Sequence, residues 1–191
     1  AAMIGAVPEG SLLVLDEAYV EFAPDETAPD FDVNDQRVIR LRTFSKAYGM
    51  AGARVGYGVA DKALIENFNK IRNHFGMNRV SQAGALEALG DQGYLKRSVA
   101  NVAGARETIG RIAAKNGLEA VESATNFVAL DCGQDGAFAK KVLAGLVSRG
   151  VFVRMPFVAP LDRCIRVSAG TPEMMDLFAA ALPEALAEAR A

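Results

Sequence analysis

Histidine and cysteine are nearly absent from this sequence of 191 residues, and their scarcity excludes several kinds of active site. His74 is the only histidine, which leaves almost nothing from which to build a Ser-His-Asp triad or a histidine-ligated zinc centre. We therefore expect no metal in the site. The only cysteines, Cys132 and Cys164, lack the spacing of a metal-binding or redox motif, and we expect both to be reduced core thiols in a cytoplasmic protein.

The sequence also lacks a strong net charge, a long apolar run and a secretory leader. The formal net charge is −2, with acidic and basic residues interspersed, which does not fit a nucleic-acid-binding surface. No apolar stretch approaches the roughly 20 residues of a membrane span, and the first residues lack the regions of a signal peptide. With 51% hydrophobic and 23% charged residues, the chain is expected to fold around a substantial core.

A lysine at the end of a predicted strand is the first candidate for chemistry. Residues 43–58 read TFSKAYGMAGARVGYG, and an apolar, β-prone run over residues 38–44 leads directly into Ser45 and Lys46. Open α/β sheets place their ligands at the carboxyl ends of strands. An isolated lysine is usually a solvated surface charge, but the apolar neighbours here favour the neutral amine that Schiff-base chemistry needs. Ser45 and Arg54 add a hydroxyl and a fixed positive fork, a combination that binds phosphate.

A second motif lies upstream, where a hydrophobic strand ends in the letters DEAY at residues 16–19. The order and spacing of DEAY, TFSK and the glycine-rich stretch up to Arg54 resemble those of the fold-type I pyridoxal-phosphate aminotransferases. Within that group the chain is most similar to the histidinol-phosphate aminotransferase family. The resemblance implies that the cofactor is pyridoxal 5'-phosphate and that Lys46 binds it covalently.

The resemblance also implies how three side chains bind the cofactor. Lys46 holds it and, once released by a substrate amine, moves the proton of the substrate. Asp16 pairs with the pyridine nitrogen, and Tyr19 donates a hydrogen bond to the phenolic oxygen. Without the motif match, Asp16 or Glu17 would be interpreted as a strand-end cap, and Tyr19 as a half-buried packing residue.

The phosphate of the cofactor has its own predicted ligands. The resemblance assigns Ser45 and Arg54 to it, and Arg54 is the stronger ligand because its fork is bidentate and permanently charged. Thr43 either assists them or is an ordinary strand threonine.

Four further residues are assigned to the substrate by resemblance: Asn78, Asn126, Arg154 and Arg166. The two arginines fall in or beside predicted strands with apolar neighbours, where a guanidinium needs an anion, and Arg166 matches the family's carboxylate-binding arginine. Arg154 is expected to bind the other end of the substrate or a structural acid. Asn78 is read equally well as a turn residue or a helix cap. The flank at residues 155–160 differs from a strict histidinol-phosphate enzyme and leaves room for an aromatic amino acid as substrate.

The spacing of apolar residues, caps and turns predicts a first part at residues 1–93. Its predicted strands are Leu12–Leu15, Arg37–Phe44 and Arg54–Ala60. One helix is predicted after the cap Asp61 and another from Ser81 to a point within Gly90–Gly93, with a break between them at Asn73–Asn78. Phe22–Asp35 is predicted as a surface loop with at most a short helical piece.

A second part, residues 94–191, is predicted to be a small α+β domain. Its predicted helices are Leu95–Asn116, Ala137–Ser148 and Pro172–Arg190, and its predicted strands are Phe127–Asp131, Val151–Arg154 and Cys164–Ser168. The fold class is therefore α/β. By resemblance, residues 1–93 belong to the three-layer αβα large domain of the pyridoxal-phosphate transferases, and residues 94–191 form the small C-terminal domain.

The resemblance implies an aminotransferase that acts as a cytoplasmic homodimer. It would move an amino group between histidinol phosphate, or an amino acid, and a 2-oxo acid such as 2-oxoglutarate. An aromatic amino acid aminotransferase and a decarboxylase of a phosphorylated amino acid are alternatives, because both would use the same Lys46, Asp16 and Arg54. The family is much longer than this chain, and its phosphate-binding turn and ring-stacking aromatic residue precede the DEAY strand. The chain is thus expected to be a C-terminal half, and a non-catalytic fragment is a further alternative.

Overall fold

A computed structural model describes residues 2–191, which divide into two compact units between Ser98 and Val99. The division falls inside helix α4 (Gln92–Lys115), a few residues beyond the predicted boundary. The assignment of residues 1–93 to a large domain and of residues 94–191 to a small domain stays a prediction. Among the described residues, no helix is both long and apolar enough to cross a membrane.

The first unit contains a mixed sheet whose strands lie where the sequence pattern predicted them. Strands β1 (Leu13–Asp16) and β2 (Val38–Thr43) are parallel, and β3 (Gly56–Ala60) is antiparallel to β2. Aliphatic and β-branched residues favour this extended backbone because their side chains pack well on a pleated surface. The register places Asp16 beside Leu41, so the last residue of β1 lies next to the carboxyl-terminal part of β2.

Side-chain caps determine where the helices of the first unit begin. These helices are α1 (Ala2–Gly5), α2 (Lys62–Ile71) and α3 (Arg79–Gly90). Asp61 caps α2 by accepting a hydrogen bond from the backbone N–H of Ala63, and Asn78 caps α3 by accepting one from Ser81. The cap at Asn78 explains why α3 begins before Ser81, its predicted first residue. The predicted break between the two helices is confirmed.

A small apolar core lies under the segment that follows β2. The rings of Phe44 and Tyr48 are 4.8 Å apart and pack with Val55 and with Ala85 of α3. The backbone on either side of Lys46 is therefore anchored in this core, and the lysine side chain starts from a fixed position.

The second unit combines helices with an antiparallel sheet. Its elements are the later part of α4, β4 (Glu119–Ala120), β5 (Phe127–Asp131), α5 (Gly136–Ser148), β6 (Cys164–Ser168) and α6 (Pro172–Arg190). The strand order is β4-β5-β6, and α5 packs against α6 and β6. Leu130, Ile165, Phe178 and Leu182 are buried almost completely in the resulting core. Each such side chain stabilises the fold by roughly 1.5–3 kcal/mol, and the mixture of helices and strands agrees with the predicted α/β class.

The predicted strand Val151–Arg154 is wrong. Among the described residues, Arg154 alone of this segment pairs with the sheet, through one bridge to Arg166 at the edge of β6, and Phe152 is 77% exposed. Pro156 follows shortly and has no N–H to extend a ladder. Strand β4 was not predicted, because its two exposed residues carry no alternating pattern.

Helices α5 and α6 approach closely at Gly145, where an added Cβ would lie 3.0 Å from the Ala185 Cβ and 3.1 Å from its Cα. At Gly110 of α4, by contrast, an added Cβ would have no neighbouring atom within 4 Å. We expect Gly110→Ala to gain the helix preference of alanine, about 1 kcal/mol. Gly145→Ala should be less stable than Gly110→Ala by about 1–3 kcal/mol, because the new methyl group overpacks the interface. Urea unfolding of both variants measures the difference, and equal stability would show that α5 and α6 separate without cost.

Candidate active site

The hydroxyl of Thr43 fixes the start of the segment that carries Lys46. Thr43 Oγ1 donates a hydrogen bond to the Val55 carbonyl at 3.3 Å and accepts one from the backbone N–H of Ser45 at 3.1 Å. The N–H of Phe44 donates to the same carbonyl at 3.1 Å. These bonds tie the end of β2 to the residue before β3, so the turn between them has a defined backbone.

Lys46 extends from this turn with a half-buried side chain. Its Nζ lies 5.1 Å from the centroid of the Tyr19 ring, within the range of a cation–π contact. Within residues 2–191, no carboxylate pairs with this amine and no acceptor hydrogen-bonds to it. Lys46 and Tyr19, which the sequence assigned to the same cofactor, therefore lie close together, and their role in binding it stays a prediction.

Glycine is required at the end of the lysine turn. Gly49 has a φ of +70°, a left-handed backbone that other residues rarely adopt. An added Cβ would also lie 2.8 Å from the hydroxyl oxygen of Tyr94. Both constraints keep the chain close to α4 at this point and direct it back toward β3.

Arg54 has the same left-handed backbone without being glycine, with a φ of +55°. It follows the 3₁₀ turn Ala51–Ala53, and its Nη1 donates to the Ala51 carbonyl at 2.8 Å. The same nitrogen lies 3.5 Å from Ser45 Oγ. Among the described residues, no carboxylate pairs with this guanidinium. A hydroxyl and an unneutralised guanidinium are therefore brought together, as the sequence predicted for a phosphate site.

Asp16 and Tyr19 lie at the end of β1, the parallel neighbour of β2. The Asp16 carboxylate is exposed, and its Oδ1 accepts a hydrogen bond from the backbone N–H of Ala18 at 3.1 Å. Because carboxyl ends of parallel strands share one edge of a sheet, Asp16 and the lysine turn lie at the same edge.

Sequence reasoning missed the ion pairs of Glu17. This carboxylate is buried and contacts two arginines of β2, with Oε1 2.8 Å from Arg40 Nε and Oε2 2.9 Å from Arg42 Nε. It does not cap a turn, a role that the neighbouring Asp16 has instead. The sequence showed only that the two arginines share a face, because they lie two residues apart in a strand; their pairing with Glu17 depends on the register between strands.

In the second unit, Arg154 and Arg166 are direct neighbours. Their backbones exchange two hydrogen bonds, of 3.1 Å and 2.6 Å, so both side chains leave the same face of the ladder. The Arg166 guanidinium lies 4.6 Å from the centroid of the Phe127 ring. Within the described residues, no carboxylate pairs with either arginine. Two guanidinium groups without a paired acid are therefore brought to the same face of the sheet edge.

The two predicted asparagines have local structural contacts. The Asn78 side chain caps α3, with Oδ1 2.7 Å from the backbone nitrogen of Ser81. Asn126 precedes β5, and its carbonyl accepts a hydrogen bond from the N–H of Ala169 at 2.9 Å, just beyond β6. Contact of either side chain with substrate stays a prediction.

Comparison with known proteins places this site in a family context. The profile of a family described as "Aminotransferase class I and II" matches residues 3–182. Histidinol-phosphate aminotransferase 2 of Ralstonia nicotianae is 41% identical over 100% of this chain and 52% of its own length. Histidinol-phosphate aminotransferase of Geobacillus thermodenitrificans is 38% identical over 92% of this chain and 48% of its own length.

A solved structure is similar as well. The crystal structure of histidinol-phosphate aminotransferase from Sinorhizobium meliloti in complex with pyridoxal-5'-phosphate matches with a TM-score of 0.94 and 52% identity, over 97% of this chain and 52% of that one. The predicted resemblance and the fold that it implied are thereby confirmed. The chain spans about half the length of the curated relatives that it matches.

Glu21, in the first unit, is expected to make the free energy of unfolding depend on pH. Burial raises the pKa of the Glu21 carboxyl above its ordinary value, against the smaller opposing effect of Arg42. The stability linked to its neutral form is present below the ordinary glutamate pKa and is lost as the pH rises through the raised value. We therefore expect Glu21→Gln to raise the free energy of unfolding at neutral pH and to have less effect at about pH 4.

Glu173 provides a control of opposite sign. A hydrogen bond with Thr171 lowers the pKa of the Glu173 carboxyl, so the stability linked to its ionised form is present above the ordinary pKa and is lost as the pH falls. Glu173→Gln should thus not stabilise the protein at neutral pH. Urea unfolding at both pH values checks the pair, and a destabilised Glu21→Gln variant at neutral pH would contradict the expectation.

Proposed function

The chain belongs to the aminotransferase class I and II family, and we propose that it supplies the lysine, the phosphate ligands and the substrate arginines of a pyridoxal-phosphate-dependent aminotransferase. The reaction would transfer an amino group between histidinol phosphate and a 2-oxo acid such as 2-oxoglutarate. One observation carries the proposal. The half-buried amine of Lys46 faces the Tyr19 ring, with no carboxylate paired to it in residues 2–191, at the sheet edge that also bears Asp16.

The donor set fits the cofactor. Ser45 Oγ and Arg54 Nη1 lie 3.5 Å apart, close enough to bind one phosphate group together. The Thr43 hydroxyl hydrogen already points to the Val55 carbonyl, so Thr43 contributes by orienting Ser45. The exposed carboxylate of Asp16 is suited to the protonated pyridine nitrogen.

Lys46 and Tyr19 have complementary tasks in this reaction. When bound, pyridoxal phosphate supplies a ring that withdraws electrons from the substrate Cα. The Lys46 amine would hold the cofactor at rest and, once released by the substrate amine, would take the proton from the substrate Cα and deliver it to C4′ of the cofactor. The Tyr19 phenol would donate a hydrogen bond to the phenolic oxygen of the cofactor. Its ring contacts the Lys46 amine.

The arginine pair sets the charge of the substrate. Arg154 and Arg166 together match a phosphate group or a carboxylate better than a neutral side chain, because each guanidinium offers a planar fork of donors. The same pair would bind the phosphate of histidinol phosphate in one half-reaction and a carboxylate of the 2-oxo acid in the other. Asn126 and Asn78 would contribute amide contacts to the substrate. The names of the relatives support histidinol phosphate over an aromatic amino acid or a decarboxylation.

We further propose that the enzyme is a cytoplasmic homodimer. Exposed apolar side chains occur from the end of α2 to α3, and they include Ile71, Phe75, Val80 and Leu86. Contiguous exposed apolar surface is typical of protein interfaces. Two free, buried cysteines fit a reducing compartment.

Borohydride trapping tests the lysine assignment. We expect the protein at its natural length, incubated with pyridoxal phosphate and reduced, to gain one cofactor-sized mass on the peptide that contains Lys46. Lys46→Ala should lose this adduct because no amine remains, and Lys46→Arg should lose it too although the charge is kept. Lys62→Ala, which removes a lysine with an 89% exposed side chain, is the matched control and should keep the adduct. An adduct that persists at the native site of Lys46→Ala would disprove the assignment.

Substrate affinity tests the arginine pair. We expect Arg166→Ala to raise the KM for histidinol phosphate and for 2-oxoglutarate at least about tenfold, because charge-assisted bonds to an anion contribute about 1.5–3 kcal/mol. Arg154→Ala should act in the same direction, and both variants should keep cofactor affinity. Arg149→Ala is the control, since Glu184 and Glu188 already neutralise that arginine. Unchanged KM values in Arg166→Ala would refute the role.

A further inference from the structure

Glu17 is a buried carboxylate that the proposed reaction leaves without a task. Its side chain is 8% exposed and bridges two cations, with Oε1 2.8 Å from Arg40 Nε and Oε2 2.9 Å from Arg42 Nε. Each oxygen faces a different guanidinium. The carboxylate therefore cannot turn or shift along the strand without losing one of its two partners.

The two arginines are anchored in turn. The Arg40 guanidinium lies 4.8 Å from the centroid of the Phe31 ring and donates a hydrogen bond to the Pro29 carbonyl. The Arg42 guanidinium also interacts electrostatically with the Tyr57 side chain of β3. The bridge thus connects the end of β1 with β2, with β3 and with the loop that precedes β2.

Stability alone does not account for such a cluster. Removing charges from water is costly, and buried ion pairs are often replaced by apolar side chains without loss of stability. Their best-attested benefit is specificity of register, since displaced partners would leave buried charges unpaired. Register matters most in a strand whose two faces carry different groups.

Strand β1 carries different groups on its two faces at its carboxyl end. The N–H of Glu17 donates to the Leu41 carbonyl at 2.9 Å, so the pairing with β2 continues through this residue. Consecutive strand residues point to opposite faces, which places Asp16 on the face away from the two arginines. A slip of one residue would exchange the two carboxylates and present Glu17 where Asp16 belongs.

We propose that Glu17 is a positioning residue for Asp16, because its bridge to Arg40 and Arg42 fixes the register in which Asp16 faces the cofactor. The inference rests on the proposed pairing of Asp16 with the pyridine nitrogen. Glu17 itself contacts neither cofactor nor substrate, so its influence on the cofactor passes through Asp16.

A double-mutant cycle with Asp16 tests this dependence in the protein at its natural length. Glu17→Gln keeps the shape of the side chain and removes its charge. We expect it to weaken pyridoxal phosphate binding, measured by equilibrium dialysis, about tenfold or more, and Glu17→Asp to restore part of the loss. The pH titration of the bound cofactor's visible absorbance should shift in the same direction as in Asp16→Asn. In the Asp16→Asn background, Glu17→Gln should change the affinity by less than about twofold, because the interaction through which it acts is already gone.

A purely structural Glu17 gives a different pattern. It would lower the affinity by the same factor with and without Asp16, and such additivity overturns the inference, as does an unchanged affinity in Glu17→Gln. Asp131→Asn, which removes the carboxylate of the Asp131–Arg163 pair in the second unit, is the control and should leave cofactor affinity unchanged. If Glu17→Gln does not fold, Arg40→Lys keeps the charge, loses the fixed Nε contact and enters the same cycle with the same criteria.

The results also distinguish failure of the proposed function from failure of the role of Glu17. A parent protein that neither binds pyridoxal phosphate nor forms the Lys46 adduct overturns both the function and the role of Glu17. A parent protein that binds the cofactor, together with additive effects in the cycle, overturns the role of Glu17 alone.

Discussion

The parallel pairing of β1 with β2 is the constraint on which the rest of the site depends. Parallel strands end at the same edge of a sheet, so Asp16 at the end of β1 and Lys46 in the turn after β2 are brought to one edge although thirty positions of sequence number separate them. The register with Leu41 then determines which face each carboxylate of the DEAY motif occupies. Proximity of Lys46 to Tyr19 follows from the same arrangement. A change of pairing would separate the lysine from its partners even if every side chain were kept.

Six arginines of the described residues fall into two groups that differ in whether a carboxylate pairs with them. Arg40 and Arg42 share the carboxylate of Glu17, and Arg149 contacts two exposed glutamates, so these cations already have anions. Arg54, Arg154 and Arg166 have no carboxylate partner among residues 2–191. An unneutralised guanidinium in a fixed position is prepared to bind an anionic ligand.

Local sequence signals predicted most of the fold. The helix at Pro172–Arg190 and the strands Phe127–Asp131 and Cys164–Ser168 have the predicted bounds, because proline at the first turn and alternating apolar residues are local signals. The strand predicted at residues 151–154 failed for a non-local reason, since pairing at a sheet edge depends on what the neighbouring strand offers. The bridge of Glu17 was missed because it forms between strands, across a register that the sequence does not display. The motifs identified the residues of the candidate site, whereas their contacts required the structure.

The backbone of Arg54 is strained, although glycine could occupy the same position without strain. A left-handed conformation costs a residue with a side chain roughly 1–2 kcal/mol, and glycine would relieve that strain. Glycines are plentiful in this stretch, at Gly49, Gly52 and Gly56, yet an arginine occupies the strained position. Strain of this kind persists only where the surroundings enforce it, and it concentrates at functional sites. Here the enforced backbone lets the guanidinium reach back to the Ala51 carbonyl and to Ser45. A glycine would relax the turn and remove the guanidinium, so the strained backbone accompanies a positive charge placed beside Ser45.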